Sequence, residues 1–176
     1  MAGRKRKPTA REVAVQMVYE VETRGAYLHL LLRQTLDESG LSLRERRLAT
    51  ELAYGTVRMQ GFLGQVLRQF LTSPWESLHP WTRSLLQVAA YEILFTHYAP
   101  VPVLVHDAVE LARRKAHEGV AKLVNAVLRR VAEARDTFSL PSPQEDLAEY
   151  LSVKYSHPRW LVERWLRFLG PQETEA

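Results

Sequence analysis

Hydrophobic residues recur at helical spacing from the first folded segment of the chain onward. Thr9 and Glu12 form a capping-box pattern that predicts a helix start, and Gly25 predicts where that helix ends. Leucines three and four residues apart then predict a second helix, which ends at Gly40. The leucines of this apolar face are Leu28, Leu31, Leu32 and Leu36.

A third helix is predicted to begin at a second capping box, formed by Ser42 and Glu45. Glycines interrupt the helical pattern of residues 43–71, and each costs about 1 kcal/mol relative to alanine inside a helix. We therefore expect a break near Met59–Gly61 and a close approach of another helix at Gly55. A phosphate-binding loop is not favoured here, because no strand precedes these glycines and the Walker spacing is missing.

The second half of the chain also has helical spacing. A loop at 72–81 precedes predicted helices at about 82–95, 103–117 and 119–135, and a linker rich in proline and serine follows at 137–143. No alternating strand pattern is present. The sequence therefore predicts an all-α fold, with two antiparallel helical groups followed by two C-terminal helices.

Signals for helix ends mark the two C-terminal helices. Ser142 is predicted to cap the first of them. Ser156 or His157 is predicted to cap the second, and Gly170 to end it. Two tryptophans share an amphipathic pattern with leucines in this last helix, which favours packing in a core or between domains over base stacking. These tryptophans are Trp160 and Trp165.

The helix predicted at 119–135 has an apolar stripe with polar residues at its border. Asn125 and Arg129 lie one turn apart at the edge of this stripe, with Lys122 nearby. An amide in this position can satisfy a neighbouring backbone group, or it can bind a phosphate or a base edge, and most such residues are structural. We expect a mainly structural role for Asn125 and a mainly functional role for Arg129. The stripe consists of Val124, Val127, Leu128 and Val131.

Positive charge is concentrated at the N-terminus of the chain. The net charge is only +4, but residues 1–11 contain no acidic residue. A short, clustered cationic arm is typical of nucleic-acid binding, and a solubilising tail explains the charge equally well. The cations of this segment are Arg4, Lys5, Arg6, Lys7 and Arg11.

Two further basic clusters lie at 44–47 and 113–115. The first includes Arg44 and Arg47 at a predicted helix start, where charge alone makes them candidates for RNA contact. The second lies at a predicted helix end, where cations also offset the helix dipole, so a structural role explains it as well.

Composition and motif searches exclude several kinds of chemistry. The absence of cysteine excludes disulfides, thiolate metal sites and a cysteine nucleophile. The six histidines lack the spacing of a metal site, and neither a nucleophile elbow nor a dinucleotide fingerprint is present. Pro8 stands where a signal peptide needs an apolar stretch, and no run approaches the roughly 20 apolar residues of a membrane helix. We expect a soluble, cytoplasmic protein that does not associate with a membrane.

Three segments, in order, resemble the NusB-type RNA-binding domain. They are the basic head leading into Ala10–Ala14, the segment Leu86–Leu94 followed by a proline-containing loop and Ala108–Arg113, and the segment Lys122–Arg130. Together they extend over residues 4–131. This resemblance implies a NusB-like all-α fold and RNA binding.

The end of the chain resembles one branch of this family. Tyr150–Trp165, with its His157–Trp160 element, is similar to the segment that joins the NusB-like and catalytic domains of RsmB-type (Sun/Fmu) ribosomal RNA cytosine-5 methyltransferases. Tyr54–Arg58 also resembles this branch. The resemblance implies the N-terminal domain of such an enzyme, ending before its methyltransferase domain. The implied regions are a flexible basic arm at 1–8, a NusB-like domain at 9–136, and a linker with a helical extension at 137–176.

The resemblance also implies the parent enzyme's chemistry, which is methylation of a small-subunit ribosomal RNA cytosine at C5 with S-adenosylmethionine. That reaction needs a nucleophilic cysteine and a cofactor domain, so we expect no methylation and no cofactor in this chain alone. The expected partners are RNA, above all small-subunit ribosomal RNA, and the methyltransferase domain in cis, with the chain a monomer. The expected RNA-binding residues are Arg4, Lys5, Arg6, Lys7, Arg11, Arg44, Arg47, Lys122, Asn125 and Arg129.

Two other functions remain open at this point. One is a free-standing NusB-like antitermination factor that binds leader RNA and a ribosomal protein, against which the segment at 150–169 argues. The other is an interaction module that docks only on a methyltransferase domain. RNA binding by the chain itself would argue against that function.

Overall fold

The structure is a computed structural model that describes residues 6–176, which form helices with no strand among them. The all-α prediction is therefore confirmed for this part of the chain. The first four helices are α1 (Ala10–Arg24), α2 (Leu28–Ser39), α3 (Leu43–Arg58) and α4 (Gln60–Arg68). After a short 3₁₀ helix (Trp75–Ser77) follow α5 (Pro80–Phe95), α6 (Val101–Lys115), α7 (Glu118–Glu133), α8 (Leu147–Tyr155) and α9 (Arg159–Glu175).

Side-chain caps fix the starts of α1 and α3 as predicted. The Thr9 hydroxyl accepts a hydrogen bond from the Glu12 backbone N–H at 3.2 Å. Ser42 and Glu45 form a reciprocal capping box, in which each side chain accepts from the other residue's backbone N–H at 3.3 and 2.8 Å. Gly25 ends α1 with φ of 61°, a left-handed conformation that favours glycine.

The predicted break and close crossing in the third helical segment are both confirmed. Met59 departs from helical geometry with ψ of 15° and separates α3 from α4. Gly55 is buried against the ring of Tyr91 on α5. This contact lets α3 approach α5 closely, because a glycine has no side chain to hold the two helices apart.

Helix α5 lies at the centre of the fold and packs against α1, α3, α4, α6 and α7. One continuous hydrophobic core joins all of these helices. The loop predicted at 72–81 therefore connects two helical groups that share α5 and does not separate two cores. Because α6 and α7 form an antiparallel pair on one side of α5, the outer face of α7 is available to a partner.

The last two helices attach to this core through α4. Helix α8 packs on α4, and α9 packs on α8. The Gly61 backbone N–H, in the first turn of α4, donates a hydrogen bond to the Ser156 hydroxyl at 2.9 Å. This bond joins the start of α4 to the end of α8.

Two predicted caps in this region are wrong. Asp146 caps α8 in place of Ser142, and its carboxylate accepts from the Glu149 backbone N–H at 3.0 Å. Asp146 also pairs with Arg159 of α9 at 2.7 Å, a tertiary contact that favours the later start. Ser156 ends α8 in a left-handed conformation and does not begin α9.

Pro158 is the N-cap residue of α9 and supplies no side-chain hydrogen bond, so His157 is not its cap either. His157 packs edge-on against the ring of Trp165, with ring centres 5.4 Å apart. Trp160 is 64% exposed, so it does not pack in the core of this chain, and its packing between domains stays a prediction. Gly170, with φ of 81°, kinks α9 near its end, and helical residues continue beyond it.

Among the described residues, no helix combines the length and the apolar character needed to cross a bilayer.

Candidate nucleic-acid interface

Helix α7 divides its residues between a buried face and an exposed face. The predicted apolar stripe is confirmed, because Val124, Leu128 and Val131 are fully buried and Val127 nearly so. Lys122 and Arg129 are exposed on the other side. Neither cation has an ion pair within residues 6–176, so both charges face solvent uncompensated by a direct partner.

Asn125 is half-buried between Lys122 and Arg129. Its side-chain amide makes no hydrogen bond to the described part of the chain, and it therefore caps no backbone group there. The hydrogen bond that a structural role would need is thus missing from this region. The amide can offer a donor and an acceptor to a ligand.

An open groove of about 510 Å³ runs between α6 and α7, and Asn125 and Arg129 line one side of it. The α6 side is mainly aliphatic, with His106 as its polar residue. The groove thus combines an apolar wall with an amide, a guanidinium and, at its α7 end, the carboxylate of Glu133, while Lys122 lies one turn away from it. The aliphatic lining on α6 consists of Val101, Pro102, Val105 and Val109.

Arg11 is engaged within the fold. Its guanidinium donates two hydrogen bonds to the buried Glu92 carboxylate, both at 2.7 Å, and one to Asp107 at 3.1 Å. The hydrogen bond to Glu92 raises the pKa of Arg11. This ion pair ties α1 to α5 and α6, and the predicted contact between Arg11 and phosphate stays a prediction.

The basic arm leads to the start of α3. Arg4 and Lys5 lie outside the described residues, whereas Arg6 is exposed and lies beside α6. Lys7 forms an ion pair with Glu45 at 3.3 Å. This contact directs the described end of the arm toward the cluster at 44–47.

Two of the arginines in the 44–47 cluster remain available to a ligand. Arg44 and Arg47 are exposed and have no ion pair within residues 6–176. Arg46 is tied to Asp37 at 3.0 Å and to the Leu41 carbonyl at 3.1 Å. The structure therefore places Lys7 against Glu45, in the same helical turn as Arg44 and Arg47, while Lys122, Asn125 and Arg129 form a separate group on α7.

The basic cluster at 113–115 is compensated by nearby acidic residues. Lys115 and Arg114 both face Glu12, at 2.9 and 3.7 Å. Arg113 pairs with Glu110 and with Glu118, and its hydrogen bond lowers the pKa of the Glu118 carboxyl. These contacts support the structural explanation of this cluster.

Sequence reasoning did not identify Glu92 and Asp107 as the partners of Arg11. A signal was present, because Glu92 lies inside the apolar segment Leu86–Leu94 and a buried carboxylate needs a partner. The sequence around Glu92 does not indicate which residue is its partner, because Arg11 is 81 residues away in the chain. Among the described residues, no group of three or more potential metal ligands occurs.

The order and packing of the helices define an all-α bundle arranged around α5. The model of the NusB family matches residues 8–133, and the chain belongs to this family. The solved structure of NusB from T. maritima superposes with a TM-score of 0.62 and is 25% identical, covering 70% of this chain and 88% of that chain. The predicted NusB-like fold is therefore confirmed.

Several relatives carry the name of a methyltransferase. The ribosomal RNA small subunit methyltransferase B of Thermus thermophilus is 37% identical over 165 residues, which are 94% of this chain and 37% of the relative. The probable ribosomal RNA small subunit methyltransferase B of Bacillus subtilis is 32% identical over 170 residues, 97% of this chain and 37% of the relative. The chain thus spans little more than a third of the length of these relatives.

A third relative comes from the antitermination branch. The transcription antitermination protein NusB of Dehalococcoides mccartyi is 30% identical over 126 residues, 71% of this chain and 88% of that protein. The resemblance to the NusB-like part of RsmB-type methyltransferases is confirmed, together with homology to NusB itself.

Proposed function

We propose that this chain binds RNA and serves as the RNA-binding domain of an S-adenosylmethionine-dependent enzyme that methylates small-subunit ribosomal RNA at C5 of a cytosine. The observation that carries RNA binding is the row on α7 in which the half-buried Asn125 lies between the exposed Lys122 and Arg129. These residues project from a helix whose other face is fixed in the core.

The spacing of the row suits a single RNA strand. Lys122 and Arg129 are seven residues apart, about 10 Å along the helix, so each can contact a different phosphate. Asn125 lies between them, where its amide can pair with a base edge. The aliphatic side of the groove offers an apolar surface against which an unstacked base can pack.

The extent of the similarity favours the methyltransferase branch. The methyltransferase relatives match 94% and 97% of this chain, whereas the antitermination relative matches 71%. The matches to the methyltransferase relatives extend into α8 and α9. These helices lie beyond the part matched by the NusB family model.

The described residues do not fit S-adenosylmethionine, because they include no strand and hence no glycine-rich strand-to-helix turn. The chain also contains no cysteine to act as the nucleophile. The proposed role of this chain is to hold RNA, and no chemical step is assigned to its residues.

Fluorescence anisotropy with a labelled fragment of small-subunit ribosomal RNA, measured over a range of salt concentrations, tests this proposal. In the double variant Lys122→Ala/Arg129→Ala, affinity should fall and the log–log salt slope should shrink by about 1.4, at about 0.7 for each lost phosphate contact. The double variant Arg164→Ala/Arg167→Ala removes the same charge from exposed positions of α9 and should keep the slope. Equal losses in both variants would contradict a site on α7.

The antitermination function is the second candidate, favoured by the 88% coverage of the Dehalococcoides mccartyi protein. It predicts tighter binding to leader RNA than to small-subunit ribosomal RNA, strengthened by a ribosomal protein. A competition experiment between the two RNAs, with and without that protein, separates the two functions. No binding to either RNA would favour a module that docks only on a methyltransferase domain.

A further inference from the structure

A pocket of about 280 Å³ lies between α1, α5 and α6, away from the groove on α7. Its floor is aliphatic and its rim is charged. The rim includes Arg6, which belongs to the basic arm, so the pocket opens beside the segment predicted to follow an RNA strand. The buried aliphatic residues of the floor are Val15, Leu85, Val88, Leu104 and Leu111.

Two carboxylates on the rim retain an acceptor oxygen that no described residue uses. Asp107 gives one oxygen to Arg11, and Glu110 gives one to Arg113. Their side chains are 41% and 44% exposed. Glu92 differs from both, because Arg11 occupies both of its oxygens.

The pocket therefore favours a ligand that combines three properties. The aliphatic floor accommodates a flat, weakly hydrated group, and the free oxygens of the partly exposed carboxylates can accept hydrogen bonds from N–H donors. Arg6, which has no ion pair within residues 6–176, suits an attached anion. A nucleotide whose base carries an amino group combines these properties, since acidic side chains accept hydrogen bonds from such groups.

The volume limits the ligand to one base. Pockets for drug-sized ligands range from about 300 to 1,000 Å³, and this pocket lies just below that range. Proteins that recognise RNA sequence commonly bind single unstacked bases and read their edges.

We propose that this pocket receives one unstacked, amino-bearing base from an RNA strand held by the basic arm, and that Asp107 and Glu110 read its amino group. The inference rests on the proposed RNA binding and names the base chemistry that the pocket selects. Cytosine fits, because its exocyclic amino group is a donor. Uracil has a carbonyl oxygen at the same position, which a carboxylate repels.

Hexamers of cytidine and of uridine, compared by fluorescence anisotropy over a range of salt concentrations, test the proposal. The cytidine hexamer should bind about tenfold more tightly, since one well-placed acceptor pair discriminates by roughly 1–3 kcal/mol. In Asp107→Asn the new amide can also donate to the uracil oxygen, so the ratio should fall below about twofold while the salt slope stays unchanged.

Two further variants separate base reading from effects on folding. Glu110 does not contact Arg11, so Glu110→Gln leaves that ion pair intact. This variant should also reduce the ratio of cytidine to uridine affinity. Glu175→Gln is the matched control, because Glu175 is 45% exposed, is ion-paired to Lys154 at the end of α9 and does not line the pocket. It should leave the ratio near tenfold. Melting temperatures of all variants show whether Asp107→Asn acts through loss of the Arg11 contact.

The outcomes separate this inference from the proposed function. Salt-dependent binding with equal affinity for the two hexamers would overturn base selection by the pocket and leave RNA binding intact. Absence of salt-dependent binding to either hexamer or to ribosomal RNA would overturn RNA binding itself. The methyl NMR signals of Val88 and Leu111 should shift when the cytidine hexamer is added. Binding that leaves these methyls unperturbed would show that no base enters the pocket and would overturn the inference.

Discussion

Gly55 and Tyr91 approach so closely that a Cβ atom added to Gly55 would lie 2.0 Å from Cζ of the Tyr91 ring. Real side chains do not approach one another at this distance, so any substitution at Gly55 must displace the ring or the helix. The contact lies where α3 crosses α5, and α5 contacts five of the other helices. A change at this crossing therefore affects the centre of the fold.

Gly55→Ala should destabilise the protein by about 1–3 kcal/mol, the usual cost of overpacking a core. Urea denaturation followed by circular dichroism measures this change. Gly64→Ala is the matched control, because a Cβ there meets only the flexible end of Arg68, at 2.9 Å. The control should be neutral, or stabilising by up to about 1 kcal/mol through helix propensity. Similar stabilities for the two variants would contradict a rigid crossing at Gly55.

Arg11→Met should destabilise the fold by roughly 3 kcal/mol, because it leaves the carboxylate of Glu92 buried without a partner. The double variant Arg11→Met/Glu92→Leu removes both charges and should recover most of the lost stability. Urea unfolding of the single and double variants measures the coupling. RNA affinity of the folded double variant then tests the predicted phosphate contact of Arg11, and an unchanged affinity would contradict that contact.

Deletion of residues 1–7 should weaken RNA binding and reduce its salt dependence with little effect on the melting temperature. If the arm neutralises three or four phosphates, the log–log salt slope should shrink by roughly 2–3 for single-stranded RNA. Salt titrations with the full chain and the deletion variant measure the difference. An unchanged slope would identify the segment as a solubilising tail.

The attachment of α9 to α8 should weaken in acid. The hydrogen bond from the Glu149 backbone, aided by Arg159, lowers the pKa of Asp146. A carboxyl with a lowered folded-state pKa contributes stability that is complete above its unfolded pKa, about 3.9, and is lost as the pH falls through the lower folded value. Hydrogen-exchange protection factors in α8 and α9, corrected for the intrinsic exchange rate at each pH, should therefore fall below about pH 4.

Asp146→Asn provides the control for this pH dependence. Asparagine caps helices about as well as aspartate, so α8 should keep its start. The charge that pairs with Arg159 is lost, and exchange in α9 should be faster than in the wild type at neutral pH. If the variant and the wild type respond to acid in the same way, Asp146 is not the group responsible.

The helices were largely predictable because their signals are local. The caps at Thr9 and Ser42 depend on residues three positions away, and the stripe on α7 depends on spacing within a single helix. The prediction of the α8 cap failed because a distant contact selects the cap residue. Ser142 and Asp146 both fit a cap pattern, and the contact with Arg159, 13 residues beyond Asp146, distinguishes them.

The candidate site was likewise predictable only where its residues lie on one helix. The row on α7 follows from its own helix, so Lys122, Asn125 and Arg129 could be predicted as candidates from the sequence. The groove beside it needs the antiparallel packing of α6 against α7, which no single helix encodes. The carboxylate partners of Arg11 lie 81 and 96 residues away, beyond any local pattern.

The two faces of α7 also bear on how this family diversifies. Substitutions at exposed helix positions usually change stability by no more than about 0.5 kcal/mol. Selection can therefore alter Lys122 or Arg129 without disturbing the valines and leucine that hold the helix in place. Relatives named as methyltransferases and as antitermination proteins share this bundle, and such a helix allows a lineage to change its ligand preference while inheriting its architecture.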